Sequence, residues 1–120
     1  MHELSLVMNI LEIAGEQMKA HHAHKLERIE LEIGSLAGVE MDAFNFAWEA
    51  AVGGTDMAVT EKIIHQIPAK ARCLECNLEY SIDHLFSPCP NCGEYLNELL
   101  QGKEMRIKSL TKKKKKYNYV

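Results

Sequence analysis

All four cysteines of the 120-residue chain fall in one stretch: Cys73 and Cys76, twelve further residues, then Cys89 and Cys92. Each C-x-x-C pair can turn two thiolates toward one point, and two such knuckles make a four-sulfur tetrahedral shell. Pro88, Pro90 and Gly93 supply the turn chemistry a knuckle needs. Soft thiolates select zinc, or iron in a rubredoxin-like site. Such a shell is closed, with no position left for water or substrate. The metal therefore staples a segment too small to hold itself together, and does not make the chain a hydrolase. Disulfides and free core thiols are the other uses of the pattern, and disulfides belong to oxidising compartments.

The flanking sequence has ordinary periodicities. Residues 4–18 place Leu4, Val7, Met8, Leu11, Ala14 and Met18 at helical steps. Leu6, Ile10 and Ile13 widen that face, which predicts a well-buried helix fading by "KAHHAHK", with Glu3 at its positive end. Residues 27–33 alternate strictly: Ile29, Leu31 and Ile33 point one way, Arg28, Glu30 and Glu32 the other. Glycines 34 and 38 punctuate the segment after this strand. A second helix, about residues 40–51, carries Phe44, Ala47, Trp48 and Ala51 on one stripe and stops at Gly53 and Gly54. "DMAVTEKIIHQI", residues 56–67, reads as a β-branched strand closed by Pro68, and residues 104–110 alternate again.

The cysteine stretch sits between those last two strands. The expected fold is α+β: a small, mainly antiparallel three-stranded sheet with two helices, plus an inserted zinc-ribbon-like four-cysteine subdomain. Residues 1–68 and 102–111 make one discontinuous domain, residues 69–101 the zinc-binding domain, and residues 112–120 a lysine-rich tail expected to be disordered.

The net charge of -3 hides a split. Setting aside Lys112 to Lys116 leaves nine basic against 17 acidic residues, a net of -8. That acidic body does not suit a phosphate-binding surface. No apolar run approaches the ~20 residues of a membrane span. The start lacks a basic region followed by an apolar one, with Glu3 interrupting it early, so the reading is cytoplasmic with no membrane partner.

The chain begins Met-His-Glu. A bulky histidine at position 2 is expected to keep Met1, and with it a free amine. That amine, the His2 backbone nitrogen and the His2 imidazole can reach one metal through fused chelate rings. The Glu3 backbone nitrogen can add a fourth donor, and its carboxylate an outer one. Peptide nitrogens bind only when deprotonated, which suits Ni(II) or Cu(II) rather than tetrahedral zinc. By spacing alone, a frayed terminus wetted by solvent explains His2 as well.

"MHELSLV" at the start, "LEIGSLAGVE" at 31–40, the paired cysteine insert and "GKEMRIKSL" at 102–110 together resemble the HypA/HybF family of nickel metallochaperones for [NiFe]-hydrogenase maturation. The resemblance spans residues 1–110. It implies a nickel site at Met1, His2 and Glu3 in the discontinuous domain, Ni(II) being transient cargo. It also implies structural Zn(II) on Cys73, Cys76, Cys89 and Cys92, and no enzymatic activity. The implied partners are a HypB-type GTPase, the [NiFe]-hydrogenase large-subunit precursor and, in some bacteria, urease maturation factors. The tail "TKKKKKYNYV" departs from the expected ending and puts in doubt a last strand running past Leu110.

Other residues invite plainer readings. His21, His22 and His24 suit a solvated helix end, where cationic side chains are favoured, or weak nickel storage. His65 reads as a sheet-edge residue, and His84, inside the cysteine loop, as a spare nitrogen donor. The lysine run is a solvated tail or a handle for an acidic partner, nucleic acid or a membrane surface. The alternative function is a zinc-ribbon nucleic-acid-binding module that uses this tail. The acidic body, and the lack of basic and aromatic residues around the cysteines, count against it. A thiol redox enzyme is a third reading, but it has no acid, base or nucleophile constellation. An insert between two strands of one sheet leaves both a monomer and a homodimer open.

Overall fold

The structure, a computed structural model, describes residues 3–112. Helix α1 spans Glu3–Ala20 and strand β1 Leu26–Gly34; helix α2 spans Met41–Val52 and strand β2 Glu61–Ile67. Three short strands come next, β3 (Lys70–Cys73), β4 (Glu79–Ser81) and β5 (Asn97–Gln101), and then β6 (Met105–Lys112). Two three-stranded sheets result, ordered β2-β1-β6 and β4-β3-β5. Strand β3 is antiparallel to both of its neighbours. The α+β class with two helices and small antiparallel-rich sheets is the one the sequence predicts.

The alternation in β1 holds: Ile29, Leu31 and Ile33 are buried, while Arg28, Glu30 and Glu32 form the wetter face. That polar face is knitted by cross-strand bonds. Arg28 Nε donates to Glu61 Oε1 at 2.8 Å, Arg106 Nε to Glu32 Oε1 at 2.7 Å, and Ser109 Oγ to Glu30 Oε2 at 2.5 Å. Exposed pairs of this kind add little stability, but they specify register.

Three expectations need correction. First, α1 is buried only along Val7, Ile10 and Ala14, one narrow face. Leu4 and Met8 are 55% and 53% exposed, and Ile13 is also exposed. Apolar residues cover more of the helix circumference than its packing against α2 occupies. Second, residues 56–59 are not strand. Thr55 caps a short 3-10 turn, Asp56–Val59, its hydroxyl accepting from the Met57 amide at 3.2 Å. Local side-chain bonding of this kind outcompetes β propensity. The Thr60 hydroxyl, buried, then donates to the Leu26 carbonyl at 2.7 Å and fixes where β2 begins. Third, β6 runs past Leu110 to Lys112.

Contacts divide the chain into two compact units. Unit one comprises Met1–Glu30, Glu40–Ile63 and Ile107–Val120. In it α1 packs on α2, whose Phe44, Ala47, Trp48 and Val52 are buried. Glu40 caps α2, its carboxylate accepting from the amides of Asp42 and Ala43. Lys62 stands 5.4 Å from the centroid of the Trp48 ring and donates to Asn45 Oδ1 at 2.7 Å. Burial lowers its pKa, and Glu49 pulls the other way.

Unit two comprises Leu31–Val39 and Ile64–Arg106. Its core is Ala69, Ala71, Cys73, Tyr80, Ile82 and Cys89, with Leu36 and Leu99 against it. The turn at 34–36 pins the chain on both sides of the cysteine stretch. Going in, the Ser35 amide donates to Ile67 O at 2.9 Å, and the Ala69 amide donates to Ser35 Oγ at 3.1 Å. Coming out, the Leu36 amide donates to Gly102 O and the Gly34 amide to Glu104 O, both at 2.7 Å. Gly34 and Gly102 meet backbone to backbone, since a Cβ on Gly34 would lie 2.0 Å from the Gly102 oxygen.

Candidate metal centre

The two C-x-x-C segments fold into matching knuckles. In the first, the Asn77 amide donates to Cys73 O at 3.0 Å and the Cys73 amide to Leu78 O at 2.8 Å. In the second, the Gly93 amide donates to Cys89 O and the Cys89 amide to Glu94 O, both at 2.9 Å. The fifth residue of each knuckle sits in the left-handed region, Asn77 at φ 63° and Gly93 at φ 78°. Glycine and asparagine are the residues that tolerate this conformation best. Asn77 is a turn former that sequence reasoning missed; its place one residue after the second cysteine, where the other knuckle has glycine, was the available signal.

These knuckles bring the four sulfurs together, all within 4.8 Å of one another. Cys73 Sγ lies 3.5 Å from Cys92 Sγ, and Cys76 Sγ 3.6 Å from Cys89 Sγ. A tetrahedron with metal–sulfur bonds of about 2.3 Å has edges of about 3.8 Å, so the cluster fits a four-thiolate metal site. Cys73 and Cys89 are buried; Cys76 and Cys92 are exposed. The Asn91 amide donates to Cys89 Sγ at 3.4 Å, as knuckle amides do toward ligating sulfur.

The thiols differ in acidity. Hydrogen bonds from the Asn91 side chain and the Leu78 backbone bring the Cys76 pKa down to about 6. At Cys92 the Glu94 backbone pulls downward, but hydrogen bonding to Cys73, desolvation and the Cys76 and Cys89 sulfurs outweigh it, and the pKa is pushed up to about 12. Within the folded knuckles Cys76 is therefore the thiol that most readily offers its sulfur as thiolate, and Cys92 the one that holds its proton longest.

Of the predicted nickel ligands, Met1 and His2 lie outside the described residues, and Glu3 is the first residue of α1. His21, His22 and His24 are exposed at the end of α1, with His22 at φ 52°. Among the described residues, the cysteines are the one group of three or more metal-type side chains whose ligand atoms converge. His65 lies on β2, an edge strand, and is half-buried. His84 turns to Ser87, 3.4 Å from its hydroxyl, and to Asp83, rather than toward the sulfurs. No helix among the described residues is long and apolar enough to cross a membrane.

Residues 1–112 match the family model described as hydrogenase/urease nickel incorporation, metallochaperone, hypA. The chain belongs to the HypA family. The hydrogenase maturation factor HypA of Parabacteroides distasonis is 42% identical over 114 residues, which cover 95% of this chain and 99% of the relative. That of Azotobacter chroococcum mcd 1 is 36% identical over 110 residues, 92% of this chain and 97% of the relative. The solution structure of the Ni metallochaperone HypA from Helicobacter pylori matches with a TM-score of 0.64 at 26% identity, covering 93% of this chain and 97% of that one. A second HypA solution structure matches with a TM-score of 0.67. Membership in the HypA family agrees with the resemblance drawn from the sequence, and nothing in these relationships supports a nucleic-acid-binding module.

Proposed function

We propose that this chain is a nickel metallochaperone of hydrogenase maturation that takes Ni(II) as cargo at its amino terminus and holds a separate structural Zn(II). The cargo ligands are the Met1 amine, the His2 backbone nitrogen and imidazole, and Glu3. The zinc ligands are Cys73, Cys76, Cys89 and Cys92. The observation that carries this reading is that the four sulfurs converge on one point. They would use every position of a tetrahedral ion, so a metal that must leave needs other donors. The family match includes residue 1, so it takes in the Met-His-Glu start.

The donor chemistry sorts the two metals. Thiolates hold zinc against exchange, while amine, peptide and imidazole nitrogens favour nickel in a planar field. Nitrogen ligation weakens as protons compete, which allows release. The chain acts in the cytoplasm as a carrier rather than a catalyst. It works with a HypB-type GTPase and delivers to the [NiFe]-hydrogenase large-subunit precursor, and urease maturation factors are further recipients consistent with the family description. Residues 1–68 and 102–111 form the nickel domain, residues 69–101 the zinc domain, and residues 112–120 an appended tail.

Calorimetric titration of Ni(II) into His2→Ala tests this directly. The high-affinity site should vanish while one zinc per chain is retained. Unchanged nickel binding would move the cargo elsewhere, with His21, His22 and His24 next to be substituted.

A further inference from the structure

Large apolar side chains exposed to solvent are concentrated at the cysteine-bearing end of unit two. Seven of the twelve found among the described residues lie between Leu74 and Leu100, more than half of them in about a quarter of the described length. Three adjoin one another. The Leu74 amide donates to Leu96 O at 3.2 Å, which carries the pairing of β3 with β5 one step past the end of both strands, and Tyr95 precedes Leu96 in the chain. Leu74, Tyr95 and Leu96 are 56%, 64% and 63% exposed. Side chains alternate along a strand, so Leu74 and Leu96 continue the outer row that holds Arg72 and Glu98, while Cys73 faces the core.

The charge around these three residues has one sign. Residues 73–97 contain Glu75, Glu79, Asp83 and Glu94 and no lysine or arginine. Glu75 is exposed and follows Leu74 directly. Glu94 Oε1 accepts from the amides of Tyr95 and Leu96 at 2.9 and 3.1 Å, which holds that carboxylate against the base of the patch. Arg72, the next cation along β3, is paired with Glu98, so Glu98 already balances it.

We propose that Leu74, Tyr95 and Leu96 form a docking surface for a basic segment of a partner protein. A large apolar side chain of the segment packs on the three, and flanking arginines or lysines meet Glu75 and Glu94. Single exposed apolar residues are ordinary, but an adjoining group with a polar rim marks an interaction surface. The sign of the rim selects the partner. Nucleic acids and anionic bilayers carry the same sign and are repelled. A second copy of the chain would set the same carboxylates against one another across an isologous interface. A short segment with arginine or lysine beside leucine or phenylalanine satisfies both the apolar centre and the acidic rim. The surface does not depend on where nickel binds, so its test and the nickel titration can fail separately.

The test is fluorescence anisotropy of a labelled peptide, Arg-Arg-Leu-Phe-Arg-Arg, titrated with the full zinc-loaded chain. Leu74→Ser combined with Leu96→Ser should weaken binding about tenfold, and Glu75→Gln combined with Glu94→Gln by a similar factor. Glu94→Gln keeps an oxygen for the Tyr95 and Leu96 amides, so the turn is preserved. Glu12→Gln combined with Glu16→Gln, both exposed on α1, is the control and should leave binding unchanged. Replacing Leu-Phe in the peptide by Ser-Ser should weaken it about tenfold. Amide NMR of the unaltered chain gives a reading free of substitutions: the peptide should shift Leu74, Tyr95 and Leu96. An equal loss in the α1 control would overturn the proposal, because the peptide would then follow the acidic body as a whole. Equal binding of the Ser-Ser peptide would overturn it as well. So would movement of the Leu74, Tyr95 and Leu96 amides on removal of residues 113–120 without peptide, which would assign the surface to the chain's own basic end.

Discussion

Cys73→Ser is expected to abolish retention of the structural metal and to unfold residues 69–101, while the surroundings of Trp48 stay native. The Cys73 sulfur is fully buried, within 3.5 Å of Cys92 Sγ, and belongs to the core around Ala71 and Tyr80. A serine hydroxyl is a hard, poor substitute for thiolate, so a four-donor shell becomes a three-donor one. Zinc binding contributes about 10–16 kcal/mol to folding of small structural zinc modules. That exceeds what a core of six buried residues and three strands of three to five residues can supply. Trp48 lies in the other unit, packed on Phe44, and its fluorescence reports that unit alone. Metal analysis should show zinc near zero, and hydrogen exchange should show loss of protection at Ala71 and Tyr80. A variant that still carries one zinc per chain would refute the assignment.

Gly34→Ala is the second large effect, and it needs no metal. The added Cβ would lie 2.0 Å from Gly102 O, 2.2 Å from Gly102 C and 2.6 Å from Lys103 N, all backbone atoms. No rotamer relieves such a contact. The turn must move, with loss of the Leu36-to-Gly102 and Gly34-to-Glu104 bonds. The expected loss is about 3 kcal/mol or more. Gly15→Ala is the matched control. Gly15 lies on the exposed side of α1 with nothing within 4 Å of its added Cβ, so it should gain about 1 kcal/mol from helix propensity. Thermal melts of the two variants should therefore move in opposite directions; a Gly34→Ala melt at the unaltered temperature would show that the two glycines do not touch.

These two positions also show what was legible in the sequence. "LEIGSLAGVE" and "GKEMRIKSL" were readable as motifs, but their meeting at Gly34 and Gly102 was not, because a backbone contact across nearly seventy residues leaves no local period. The alternation of β1 and the stripe of α2 each reflect a period set by burial on one face, and both were readable. The 3-10 turn at Asp56–Val59 was hidden beneath β-branched residues because a single hydroxyl, Thr55, decides it. Strands β3 to β5 are too short to display a period. The convergence of the four cysteines was fully legible, since knuckle spacing fixes it, whereas the acidity difference between Cys76 and Cys92 depends on Asn91, Leu78 and Glu94 and needs coordinates. Chain chemistry singled out Met1 and His2, and they lie outside the described residues.

The claim on which the functional reading turns is that nickel is held by the free amino terminus. Calorimetric Ni(II) titration of the zinc-loaded chain with its Met1 amine acetylated measures this most directly. The high-affinity nickel site should disappear while zinc stays at one per chain. Nickel binding of undiminished affinity and stoichiometry in the acetylated protein would contradict it.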